Sequence, residues 1–101
     1  MRVVLCNAPP EHAERIARAL VESKLAACVN VVPGIVSIYR WKGSIERTEE
    51  STLLIKTADD RVPALMDEIR KTHPYEVPEI VTLDATDVNP AYAQWVESET
   101  R

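Results

Sequence analysis

Apolar residues recur along this chain with two periods, and the switches between them mark its elements. Residues 2–6, RVVLC, form a short apolar run suited to a buried strand. The stretch NAPPEH then punctuates, with prolines tolerated in a first helical turn because those N–H groups have no helical partner. From there Ala13, Ile16, Ala17, Leu20 and Val21 recur at helical spacing, with Glu14, Arg15, Arg18 and Glu22 on the other side. This predicts an amphipathic helix to about Leu25. Next, CVNVVPGIVSIYRW is rich in β-branched and aromatic residues and is broken by Pro33-Gly34, the pattern of a bent or bulged strand. Lys42-Gly43 suits a tight hairpin turn, and SIERTEESTLLIKT returns as the partner strand.

A second helix is expected after Asp59-Asp60, with Val62, Leu65, Met66 and Ile69 on one stripe and Pro63 in its first turn. KTHPYEVPEI stops that helix, and EIVTLDA reads as another buried strand. In NPAYAQWVESE, Asn89 is a cap, Pro90 takes the first helical position, and Tyr92, Trp95 and Val96 share a face. The order β-α-β-β-α-β plus a terminal helix is the split βαβ pattern, an α+β ferredoxin-like sandwich. No linker, repeat or low-complexity tract divides residues 1–101, so one domain is expected. The hairpin arms are far longer than the other strands, and the arm from Ile35 to Trp41 is mostly apolar with an aromatic tip. That excess predicts packing against another copy of the chain.

Composition narrows the function classes. A formal charge of −4, with basic residues scattered among acids, disfavours nucleic acid, which requires clustered positive charge. No apolar segment approaches the length needed to cross a bilayer. Met1-Arg2 leads straight into a strand-like run with no secretory signal ahead of it, so a cytoplasmic protein with two reduced thiols is expected. Cys6 and Cys28 read as small buried hydrophobes.

Several chemistries found on this topology fail on particular residues. A metal chaperone presents C-x-x-C after its first strand, whereas here that loop is CNAPPE, with one thiol. An acylphosphatase-like cradle needs backbone N–H groups, which Pro9 and Pro10 lack. An RNA-binding sheet needs aromatics on its central strands, and STLLIKT has none. His12 and His73 are the only imidazoles, and nothing in the spacing sets either beside a nucleophile. Glu46, Glu49 and Glu50 read as the solvated face of a strand, and a non-enzymatic protein is expected. Cys6 closes the first strand and His73 the second helix. His73 is either a metal ligand or a plain helix-end residue.

KLAACVNVVPGIVSIYRWKG, followed by LLIKT and HPYEVPEI, resembles the CutA family of divalent-cation tolerance proteins, and the likeness runs from VVLCNAPPE to Tyr92 and Trp95. The resemblance implies a ferredoxin-like protomer in a compact homotrimer, with long hairpins building intersubunit sheets, similar in architecture to PII signalling proteins. It implies tolerance to divalent metals, copper above all, with Cys6 and His73 at the metal-associated positions. Some copper-binding relatives of that family carry a second histidine where Thr72 stands here. Cys28 matches a cysteine read as packing. Lys56, Tyr75 and Glu79, with Trp41 reaching across, match positions lining a cleft between subunits. They would hold a small anionic or polar ligand or form a network fixing subunit register. Three functions follow: a metal-response trimer binding copper weakly through Cys6 and His73, a PII-like sensor with a small ligand in its clefts, and a structural or anchoring trimer. No cofactor is required by any of them.

Overall fold

In a computed structural model, which describes all 101 residues, the elements follow the order expected from the pattern. Strand β1 (Arg2–Ala8) leads to helix α1 (Pro10–Glu22), then the hairpin β2 (Cys28–Trp41) and β3 (Ser44–Thr57). A 3-10 turn at Asp59–Arg61 precedes α2 (Val62–Thr72), β4 (Val81–Asp84) and α3 (Pro90–Glu99). The four strands form one antiparallel sheet in the order β2-β3-β1-β4, so the fold is the ferredoxin-like α+β sandwich.

One sheet face carries the core. Val4, Cys6 and Ala8 from β1 and Leu53 and Ile55 from β3 meet Ile16 and Leu20 of α1 and Leu65 and Ile69 of α2. Strand alternation sends the intervening residues the other way. On that second face Val3 lies opposite Leu83, and Leu5 opposite Val81. Val32, Val81 and Leu83 there are exposed. The expectation of a buried final strand is corrected at this point. β4 is a four-residue edge strand with two of its apolar side chains in the open, because α1 and α2 build their core on the opposite face of the sheet.

The hairpin governs the shape. Each arm has 14 residues, against seven in β1 and four in β4, and the molecule measures 45 × 26 × 22 Å. Pairing slips between Val32 and Ile35, which places a bulge at Pro33-Gly34, with Gly34 at φ 74°. Proline has no ladder N–H to lose there. At the tip Trp41 pairs with Ser44, and Lys42 and Gly43 take φ 49° and 84°. Two positive φ values in a two-residue loop match the twist of the strands.

One helix end shifts from the pattern, and one helix face is less buried than expected. α1 stops at Glu22 rather than Leu25, where Ser23 caps it and Lys24 turns with φ 61°. In α3 the Asn89 side chain accepts the Ala91 N–H as expected. Of the face expected to bury, only Val96 does so, and Trp95 is 42% exposed.

Candidate functional site

The segment between α2 and β4 crosses the end of the sheet and builds the site. His73 ends α2 in an extended conformation and sits buried, with both ring nitrogens engaged. Nδ1 accepts the Tyr75 backbone N–H at 3.1 Å, so the proton lies on Nε2, which donates to the Asn7 carbonyl at 2.8 Å. The imidazole therefore ties the end of α2 to the end of β1 in one tautomer. Its ring stands 4.8 Å from that of Tyr75, tilted by 52°.

Cys6 comes close to the same place. Its sulfur is 3.7 Å from the Asn7 carbonyl that His73 holds. The side chain is fully buried. Burial, then the negative charges of Glu79 and Glu50, push its thiol up to about 12. The two expected metal-associated residues are thus neighbours through one carbonyl. As folded, however, neither is set as a good metal ligand: His73 has both nitrogens in hydrogen bonds, and burial disfavours the thiolate of Cys6. The Thr72 hydroxyl, beside His73, donates back to the Glu68 carbonyl within the helix. No group of three or more His, Cys, Asp or Glu is arranged to hold a metal ion. The donor set does not fit a resident metal.

Past His73, Tyr75 turns toward the hairpin, and its hydroxyl donates to Glu50 Oε2 at 2.8 Å. Desolvation, followed by that bond to Glu50, raises the phenol far above its ordinary value, so it remains a donor throughout the neutral range. Glu50 is only 5% exposed. This corrects the expectation that Glu46, Glu49 and Glu50 form one solvated face. Consecutive strand residues point to opposite sides, so Glu49 and Glu50 were never on one face. The doublet itself was the available signal.

Around this bond lies a concavity of ≈ 680 Å³, within the range of about 300–1,000 Å³ typical of small-molecule sites. Asn7, Tyr39, Trp41, Glu50, Tyr75, Glu76 and Glu79 contribute to its walls. Tyr39 is fixed by a 2.9 Å hydrogen bond between its hydroxyl and that of Thr48. Of the four residues expected in a cleft, Trp41, Tyr75 and Glu79 meet here, in one chain. Lys56 does not. It lies opposite Cys28, six residues along β3 from Glu50 and so about 20 Å away, and its amine bonds Asn30 Oδ1. Glu50, Glu76, Tyr39 and Asn7 are among the wall residues that sequence reading missed.

Comparison with known proteins agrees with this fold. The sequence profile described as CutA1 divalent ion tolerance protein matches residues 2–99. A Divalent-cation tolerance protein CutA from Thermus thermophilus is 48% identical over 99 residues, covering 97% of this chain and 96% of its own. Protein CutA of Homo sapiens is 52% identical over 88 residues, 87% of this chain and 49% of its own, so the chain spans about half of that relative. Among solved structures, the Thermus thermophilus divalent cation tolerance protein superposes with a TM-score of 0.95 at 47% identity, covering 100% of both chains. A PII-like protein CutA from Nostoc sp. PCC 7120, in apo form, superposes with a TM-score of 0.96 at 42% identity, covering 100% of this chain and 98% of its own.

Proposed function

Because the chain belongs to the CutA1 divalent-ion tolerance family, we propose that it is a self-associating sensor whose ligand site is the concavity between the Tyr75 segment and the hairpin. The family's description links it to divalent-ion tolerance, and we read the chain as non-enzymatic. One observation carries the proposal: a buried carboxylate, Glu50, bonded to Tyr75 inside an aromatic-lined hollow of ligand size. A polar group held that way supplies orientation, while the rings supply contact area. The relative from Nostoc, described as PII-like and in apo form, points to the same kind of role.

Self-association is part of the proposal, and a homotrimer is the assembly we favour. Val32, Val81 and Leu83 on the open sheet face and Val36, Ile38 and Ile45 on the hairpin are exposed. The outer edges of β2 and β4 have no strand beside them. Unpaired edges and apolar faces of this extent suit other copies of the same chain. Two unpaired cysteines fit a reducing compartment, and we place the protein in the cytoplasm on that ground.

A thermal-shift screen of small metabolites tests the site, since a ligand that binds only the folded form raises apparent stability. At least one hit is expected to be lost in Glu79→Gln; a broad panel without shifts removes the sensor reading and leaves a structural or anchoring assembly. Copper is tested in parallel by titrating the wild type and His73→Ala. Weak surface binding, equal in the two, is the expected result, because His73 would have to give up one of two hydrogen bonds to coordinate. Binding that vanishes in His73→Ala would instead put copper at Cys6 and His73.

A further inference from the structure

We infer that the ligand of this cleft is a small organic cation, a molecule bearing a primary or quaternary ammonium group, rather than an anion. The inference rests on the sensor reading above and names the chemistry that the site selects. Removing Lys56 from the group changes its charge completely. The charged residues in the walls are then Glu50, Glu76 and Glu79, and no Lys, Arg or His lines the hollow. None of the three glutamates takes part in an ion pair.

Glu50 is the sharpest case. A carboxylate as buried as this is normally matched by a cation, because desolvation without a counter-charge is costly. Here it has the neutral phenol of Tyr75 instead. The field of Glu79 and Glu50 extends far enough to disfavour the Cys6 thiolate. An anionic ligand would enter against three carboxylates, and a cationic one would neutralise them.

The aromatic groups point the same way. Tyr39, Trp41 and Tyr75 present three rings to the hollow. Ring faces attract ammonium groups, tryptophan most strongly. Trp41 already does so within its own chain, for the Lys42 amine stands 5.6 Å from the ring centroid. A ligand ammonium beside Glu50 and the rings of Tyr39 and Tyr75 would meet the arrangement that recognises quaternary amines, with Trp41 at the hairpin-tip end of the hollow.

Choline and its neutral carbon isostere 3,3-dimethyl-1-butanol separate charge from shape, with citrate as an anionic probe. Each is titrated by calorimetry into the assembled full-length protein, and Trp41 fluorescence is followed. Choline is expected to bind at least ten-fold more tightly than the isostere, to lose affinity ten-fold or more in Glu79→Gln, and to weaken with added salt. Glu79 is exposed, so that variant should fold normally. Equal binding of choline and the isostere, or binding of citrate alone, would overturn the cation while leaving the cleft as a site. No binding by choline also overturns it, and the metabolite screen then judges the cleft by itself.

Discussion

The Tyr75 hydroxyl donates to Glu50 Oε2 at 2.8 Å, and this bond joins the segment after α2 to the inner half of the hairpin. It links residues 25 positions apart in sequence. It also accounts for how a glutamate that is 5% exposed can exist in β3 without a cation. The relation between these two side chains shapes the hollow more than any residue at its rim.

Tyr75→Phe should therefore cost stability as well as ligand. Leaving a buried acceptor without its donor costs about 1–3 kcal/mol. The ring's 4.8 Å contact with His73 would be kept. Urea unfolding of wild type and variant measures the difference. A change near zero would mean that water satisfies Glu50 in solution and that the hollow is wetter than its walls suggest.

Cys6 gives the protein an alkaline limit. Its thiol is pushed up to about 12 from an ordinary value of 9.0, mainly by burial. Between those values the unfolded chain has lost the proton and the folded chain still holds it. Stability is thus fully present below about pH 9 and falls as pH rises, by up to about 1.4 kcal/mol per unit. Denaturation at pH 8 and pH 10.5 should show this loss, reduced in Cys6→Ala once the shared effect of other titrating groups is subtracted. At pH 8 a thiol reagent should label Cys28 in the native protein and leave Cys6 untouched; equal labelling would show that β1 opens readily.

Hydrophobic spacing was enough for the element order, because each buried stripe and each alternating strand is a local signature. The bulge and the turn were equally local, since Pro33-Gly34 and Lys42-Gly43 announce themselves. The site was harder to read because its parts are distant in sequence. Tyr75 and Glu79 stood out through a family motif, but Glu50 is one of several acids on β3, and only the fold shows that it is buried. Lys56 stands outside the hollow of its own chain for a related reason. A motif fixes which residues matter without saying how far apart a 14-residue strand holds them. β4 misled because an apolar run looks alike whether the helices of its own chain or another copy covers it.

Gly43→Ala isolates the hairpin tip. A Cβ added there meets nothing within 4 Å, so the cost is conformational alone. At φ 84° an L-residue is strained by roughly 1–2 kcal/mol. The variant should unfold at correspondingly lower urea, with the assembly retained. If Gly43→Ala instead dissociates the oligomer while Gly34→Ala does not, the tip itself must lie against another copy.

The two tryptophans test what the long hairpin is for. Trp41 and Trp95 are almost equally exposed, 40% and 42%, so exposure alone gives no reason for their loss to differ. Their surroundings do. Trp95 packs against Tyr92 of its own helix, with ring centroids 5.7 Å apart. Trp41 stands at the far end of a projecting hairpin, beside the turn, where its own chain provides little cover. Trp41→Ala is therefore expected to weaken self-association by ten-fold or more, equivalent to about 1.4 kcal/mol, and Trp95→Ala much less. Light scattering behind a sizing column, run as a dilution series at low micromolar protein, reads both effects. Wild type should report three chains, and a stable monomer would remove the assembly on which the hairpin's exposed apolar residues depend. Equal weakening by the two variants would move the interface to include α3 and would make the hairpin one contact among several.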